Sequence, residues 1–96
     1  MDHVEFMTSI KDMESQIMEE VTGAQEYMKC ADHWKENATV ATNYLNMGKQ
    51  ELEHAKKLTD MLPMIKGPNE FTEDQKVIIN FLSDMNNDQI RRIANR

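Results

Sequence analysis

Glu51-Leu52-Glu53-His54 places a carboxylate and an imidazole three residues apart. On a helix that spacing puts both side chains on one face about one turn apart, where an oxygen and a ring nitrogen can reach a single ion. The four-residue pattern alone is common in charged helices, and a third residue gives it weight. Glu20 interrupts the apolar periodicity Phe6, Ile10, Met13, Ile17, Ala24, Tyr27, Ala31 and Trp34, standing at a step where an apolar side chain is expected. Glu51 does the same within Tyr44, Met47, Gly48, Ala55, Leu58, Met61 and Leu62. An unpartnered carboxylate on a buried stripe costs on the order of several kcal/mol, so something must neutralise both. Four solutions stay open: a lysine or arginine partner, a proton shared at a raised pKa, a helix slide that brings the carboxylate to water, or a metal ion.

These residues need long helices to carry them. Asp2 and Glu5 form a capping pair, and from there to about Glu36 the chain has no proline and only one glycine, Gly23. A second helix starts near Asn37 to Thr39. Pro63 ends or kinks it by removing a backbone donor, and Gly67-Pro68 confirms the break, so a hairpin spans 2–66. Thr72-Glu73-Asp74-Gln75 is a capping-box pattern that opens a third helix, expected over 71–95, through Ile78, Phe81, Leu82, Met85, Ile90 and Ile93. Asn86-Asn87-Asp88 lowers helix propensity within it and marks where it would bend or fray. The fold class is therefore all-α, with residues 1–96 as a single domain.

If the chain reverses near Asn37, Glu20 lies 17 residues before the turn, and Glu51 and His54 lie 14 and 17 after it. All three then arrive at one height. A helix of about 34 residues is about 50 Å long, whereas a compact domain of this size has a radius of gyration near 13 Å. The chain reads as a slender hairpin whose seam stays half exposed until a second hairpin covers it. A two-fold partner would give a homodimeric four-helix bundle with four carboxylates and two imidazoles, the ligand set of carboxylate-bridged di-iron or di-manganese bundles.

Composition narrows the function classes. Among 96 residues, Lys plus Arg is 11 and Asp plus Glu 17, and the net charge of −6 argues against a nucleic-acid backbone as partner. One cysteine, Cys30, is too few for an internal disulfide, a four-cysteine zinc site or a rubredoxin-type iron centre. That points to a reducing compartment and a cytoplasmic protein. No run approaches the roughly 18 to 20 apolar residues of a membrane span. Glu14, Glu26, Glu36 and Asp60 read as solvated, as does Glu53 beside the motif. His3 and His33 read as structural or solvent-facing, Cys30 as a small half-buried side chain, and Met13, Met47 and Met61 as filling for irregular core space.

The stretch Glu20-Val21-Thr22-Gly23-Ala24-Gln25-Glu26-Tyr27 resembles the first metal helix of rubrerythrin and its ferritin-like relatives. Tyr44 to Leu58, containing Glu51-Leu52-Glu53-His54-Ala55, resembles the Glu-x-x-His-Ala-x-x-Leu helix of that superfamily. The resemblance covers roughly residues 10 to 62, two helices where a full domain has four, and a half-length chain of this kind is similar in plan to the encapsulated ferritins. It implies Glu20, Glu51 and His54 as metal ligands, and Tyr27 beside them. Tyr27 could orient a ligand or donate an electron, with an aromatic filling the seam as the equal alternative. It further implies two irons per dimer, with manganese as an alternative, and Fe(II) with oxygen or peroxide as reactants. Iron oxidation, iron handling or peroxide detoxification follow from that. The implied assembly is a dimer or higher homo-oligomer. An encapsulin shell is the implied container, although Gln89 to Arg96 looks like ordinary helix and not a docking tail. The competing class is a non-catalytic helical oligomerisation protein, in which the same three residues form a hydrogen-bonded network or hold a metal only for stability.

Overall fold

The Asp2 carboxylate accepts a hydrogen bond from the Glu5 backbone N–H at 3.0 Å and so starts α1, His3–His33, in the computed structural model, which describes residues 1–95. Asn37 does the same for α2, Ala38–Met61, accepting from the Val40 N–H at 3.2 Å. Pro63 follows the end of α2 at Met61, as expected, without kinking the helix. It lies inside a short 3-10 turn, Leu62–Met64, where its missing N–H costs nothing, and a second such turn, Pro68–Glu70, leads on. Thr72 caps α3, Glu73–Ala94, through a full capping box: its hydroxyl accepts from Gln75 N–H at 3.1 Å and Gln75 Oε1 accepts from Thr72 N–H at 2.9 Å. Among the described residues there are three α-helices and no strand. Arg96, the last residue of the expected helical C-terminal stretch, lies outside them.

α1 and α2 form the antiparallel hairpin, and the molecule measures 53 × 19 × 15 Å with a radius of gyration of 16.1 Å. Gly48 sets their closest approach. A Cβ there would lie 3.4 Å from the Ala24 carbonyl oxygen and 3.3 Å from Met28 Cε, so the glycine lets α2 sit against the backbone of α1. α3 runs up one side of the hairpin in the same direction as α1. Phe71 packs edge-on to Phe6 with ring centres 6.2 Å apart, and Gln75 Nε2 donates to the Met1 carbonyl at 2.8 Å. Higher up, Asn86 Nδ2 donates to Glu14 Oε1 at 2.6 Å. Near the top, Arg92 and Ile93 share a depression with Gln25 and Lys29.

The helices form where their caps place them, but the buried stripes are rotated. The core of α1 is Phe6, Ile10, Ile17, Val21, Ala24, Met28 and Ala31, and that of α2 is Gly48, Leu52, Ala55 and Thr59. Val21 and Leu52 hold the interior beside Glu20 and Glu51, which stand half-buried on the flank. Trp34, expected in the seam, caps α1 and is exposed, as are Met47 and Met61. Of the expected α3 stripe, Ile90 and Ile93 are buried and Ile78 and Leu82 half-buried, whereas Phe81 and Met85 face outward; Gln75, Ile79 and Asn86 are buried besides. The Asn86-Asn87-Asp88 stretch neither bends nor frays the helix, because Asn86 is fixed by Glu14. Glu14 is consequently half-buried and hydrogen-bonded, not a freely solvated side chain.

Candidate metal centre

The flank opposite α3 carries the three residues singled out by spacing. Glu20, Glu51 and His54 each bring one ligand atom to within 4.8 Å of the others. His54 Nδ1 lies 3.5 Å from Glu20 Oε2, with the imidazole 55% and the Glu20 side chain 27% exposed. The hairpin register supplies this meeting: Glu20 comes from the middle of α1, and the two others from successive turns of α2. Among the described residues it is the one group of three such side chains placed to share an ion.

Two features of the cluster bear on whether it could hold an ion. Glu20 Oε2 is shut off from solvent and accepts no hydrogen bond, with His54 Nδ1 beside it only at ion-pair distance. The Glu51 carboxyl is held above its ordinary value, chiefly because its protonated form hydrogen-bonds to Glu20, then by burial and by repulsion from the Glu20 charge. His54 pulls it the other way. Two carboxyl groups side by side, with an imidazole in reach, are a donor set that could hold a divalent cation. Carboxylate oxygens and one imidazole suit Fe(II) and Mn(II).

Gly23 completes the cradle, and the ligand spacing did not reveal it. A Cβ at Gly23 would stand 3.0 Å from Glu51 Oε2 and 3.6 Å from its carboxyl carbon. The glycine therefore gives the Glu51 carboxylate the room to lie across α1 towards Glu20. Gly23→Ala is expected to change two measurements in opposite directions. The metal-free chain gains up to about 1 kcal/mol of helix stability, while metal affinity falls because the carboxylate is pushed aside. Thermal unfolding and metal titration on the same sample check both signs, and unchanged affinity would show that Glu51 has room to spare.

Tyr27 lies two turns above Glu20, half-buried, and its ring faces that of Tyr44 at 6.3 Å between centres, tilted by 31°. Tyr44 is the residue missed as its partner. The signal was present in the symmetric spacing: Tyr27 follows Glu20 by seven residues and Tyr44 precedes Glu51 by seven. His33 lies edge-on to Trp34 at the turn, 5.6 Å between ring centres, and Glu53 is exposed. Neither belongs to the cluster.

No helix among the described residues is long and apolar enough to cross a membrane. No family model, curated protein or solved structure matches the chain.

Proposed function

We propose that this chain is half of a ferritin-like di-metal protein, in which two hairpins pair across the flank that carries Glu20, Glu51 and His54. The observation that carries the reading is the convergence of these three side chains around Glu20 Oε2, which accepts no hydrogen bond. The same flank is lined by half-buried Met13, Tyr27, Tyr44 and Leu58 and by exposed Met47 and Met61, an apolar margin suited to a second hairpin. Two copies would provide four carboxylates and two imidazoles.

Bound iron, or manganese in its place, would supply one-electron redox chemistry to oxygen or peroxide at ligand positions the protein leaves open. The chain's own residues do the rest. Glu20 and Glu51 would provide negative charge that favours the higher oxidation state, and a cation held there would compete with the proton for Glu51. His54 would hold the ion through one ring nitrogen. Gly23 keeps the space into which the Glu51 carboxylate moves, and the Tyr27–Tyr44 pair closes the side nearer the turn. The reading is iron oxidation or handling, or peroxide removal.

Anaerobic titration of the purified protein with Fe(II), followed by exposure to oxygen with mass measured in parallel, tests it. Two irons per two chains are expected, with rapid oxidation that Glu51→Ala abolishes. Failure to bind iron in any assembly state overturns the proposal. A second reading has its own support: the 3.5 Å His54–Glu20 contact and a proton shared between Glu20 and Glu51 satisfy the cluster without a metal. In that case the chain is a helical interaction protein, and metal binding without turnover is the outcome that favours it.

A further inference from the structure

We propose that the outer face of α3 is a self-association surface, on which α3 of a second copy packs antiparallel across a two-fold axis at Phe81. This surface is separate from the metal-bearing flank, which lies on the opposite side of the hairpin, and the inference does not depend on a metal being bound. The buried residues Gln75, Ile79, Asn86, Ile90 and Ile93 define the inner face of α3. Val77, Phe81 and Met85 fall on the outer side and are 66%, 64% and 47% exposed. Four-residue steps drift by only about 40° on a helix, so the three form one continuous stripe. An exposed phenylalanine between an exposed valine and an exposed methionine is an apolar surface that a lone chain leaves in water.

The stripe is its own complement. Val77 and Met85 lie four residues to either side of Phe81, so a two-fold axis there sets each Val77 against Met85 of the second copy and the two phenylalanines against each other. The charges at the two ends of α3 agree with that direction, while exposed Asp84, which is in no ion pair among the described residues, lies level with Ile78 of the second copy. At the start of α3, Lys76 pairs with Glu73 at 3.2 Å, and Asp74 has no ion-pair partner among the described residues, leaving one net negative charge. At its end, Asp88 pairs with both Arg91 and Arg92, the latter at 2.9 Å, leaving one net positive charge. Antiparallel pairing brings the negative end of each helix to the positive end of the other, and aligns the helix dipoles favourably. Helical side chains lean towards their own N-terminus, so each Arg92 reaches back towards the height of Asp74 on the second copy. Parallel pairing would set like charges together.

Light scattering and native mass spectrometry on the full chain and on Phe81→Glu test the surface. The variant's mass is expected to be at most half that of the wild type, with unchanged helical circular dichroism and unchanged metal binding. A register-specific cross-link gives a second reading that does not require Phe81 to be altered. In a Cys30→Ser background, Val77→Cys mixed with Met85→Cys is expected to form a disulfide on mild oxidation, whereas neither variant alone cross-links to itself. Equal masses for wild type and Phe81→Glu, or no cross-link in the mixture, overturns the proposal.

Discussion

Glu51→Gln is expected to abolish iron binding while leaving the metal-free chain at least as stable as the wild type at neutral pH. The two effects have opposite signs because one group plays opposite parts in the two states. Without metal, the Glu51 carboxyl faces Glu20 and is held above its ordinary value chiefly by the hydrogen bond its protonated form makes to Glu20, then by burial and by repulsion from the Glu20 charge. A raised folded-state pKa means that the folded chain binds the Glu51 proton more readily than the unfolded chain does. The stabilisation is then fully present below the ordinary carboxylate value and is lost as pH rises through the folded value. Above that value the wild type has lost it. Glutamine carries no charge to repel Glu20 and keeps an amide that can donate to Glu20 Oε2, which accepts no hydrogen bond.

With Fe(II) present the ranking reverses. A ligand at one hundred times its dissociation constant stabilises the folded state by about 2.7 kcal/mol, and the wild type gains this while the variant does not. Loss of an anionic ligand is expected to weaken binding more than the roughly 10- to 100-fold typical of losing a group that merely orients one. Melting curves with and without anaerobic Fe(II) at neutral pH, repeated at falling pH, read both effects. The wild type should bind progressively less iron on acidification as Glu51 takes up its proton. A variant that is destabilised without metal, or that binds iron like the wild type, would remove Glu51 from the site.

What the sequence made legible, and what it did not, follows from which signals are local. Caps are local. Asp2, Asn37 and Thr72 each act within three residues of their own position, and all three helices start where those side chains accept a backbone N–H. Register is nearly local: once the turn is placed near Asn37, helix geometry alone brings Glu20 level with Glu51 and His54. The identity of the buried stripe is not local. It depends on what packs against the hairpin, and α3 covers the side bearing Val21 and Leu52, turning the stripe with Glu20 and Glu51 to the flank. For α3 Ile90 and Ile93 are buried as expected, but Phe81 and Met85 face out while Gln75 and Asn86 are buried by partners far away in sequence. A buried polar residue carries no periodic signature. Gly23 escaped for a similar reason, since the space it leaves is used by a side chain of the other helix.

Asn86→Asp is expected to destabilise the docking of α3 by about 3 kcal/mol at neutral pH, the magnitude typical of an uncompensated buried charge. Asn86 is 1% exposed and its amide is the donor that satisfies Glu14 Oε1 at 2.6 Å. Aspartate of nearly the same shape replaces that donor with a second carboxylate, and no lysine or arginine is paired with Glu14 among the described residues. Acidification should reverse the loss, because one proton shared between the two carboxyls recreates the donor. The new carboxyl has its folded pKa raised, so the penalty is absent below the ordinary carboxylate range and grows as pH rises through the folded value. Adding Glu14→Gln to Asn86→Asp should restore stability at neutral pH, since the glutamine amide then donates across the same gap. Asn86→Leu separates polarity from packing: it removes the donor without adding charge, and half-buried Glu14 can turn to water, so its cost should be smaller. Because α3 touches α1 more sparingly than α2 does, the loss should fall first on α3. Hydrogen exchange of the α3 amides, compared with those of the hairpin core, reads this directly. Equal loss of protection in all three helices would mean that the chain opens as one unit, and that the Glu14–Asn86 bond secures the hairpin as much as it does α3.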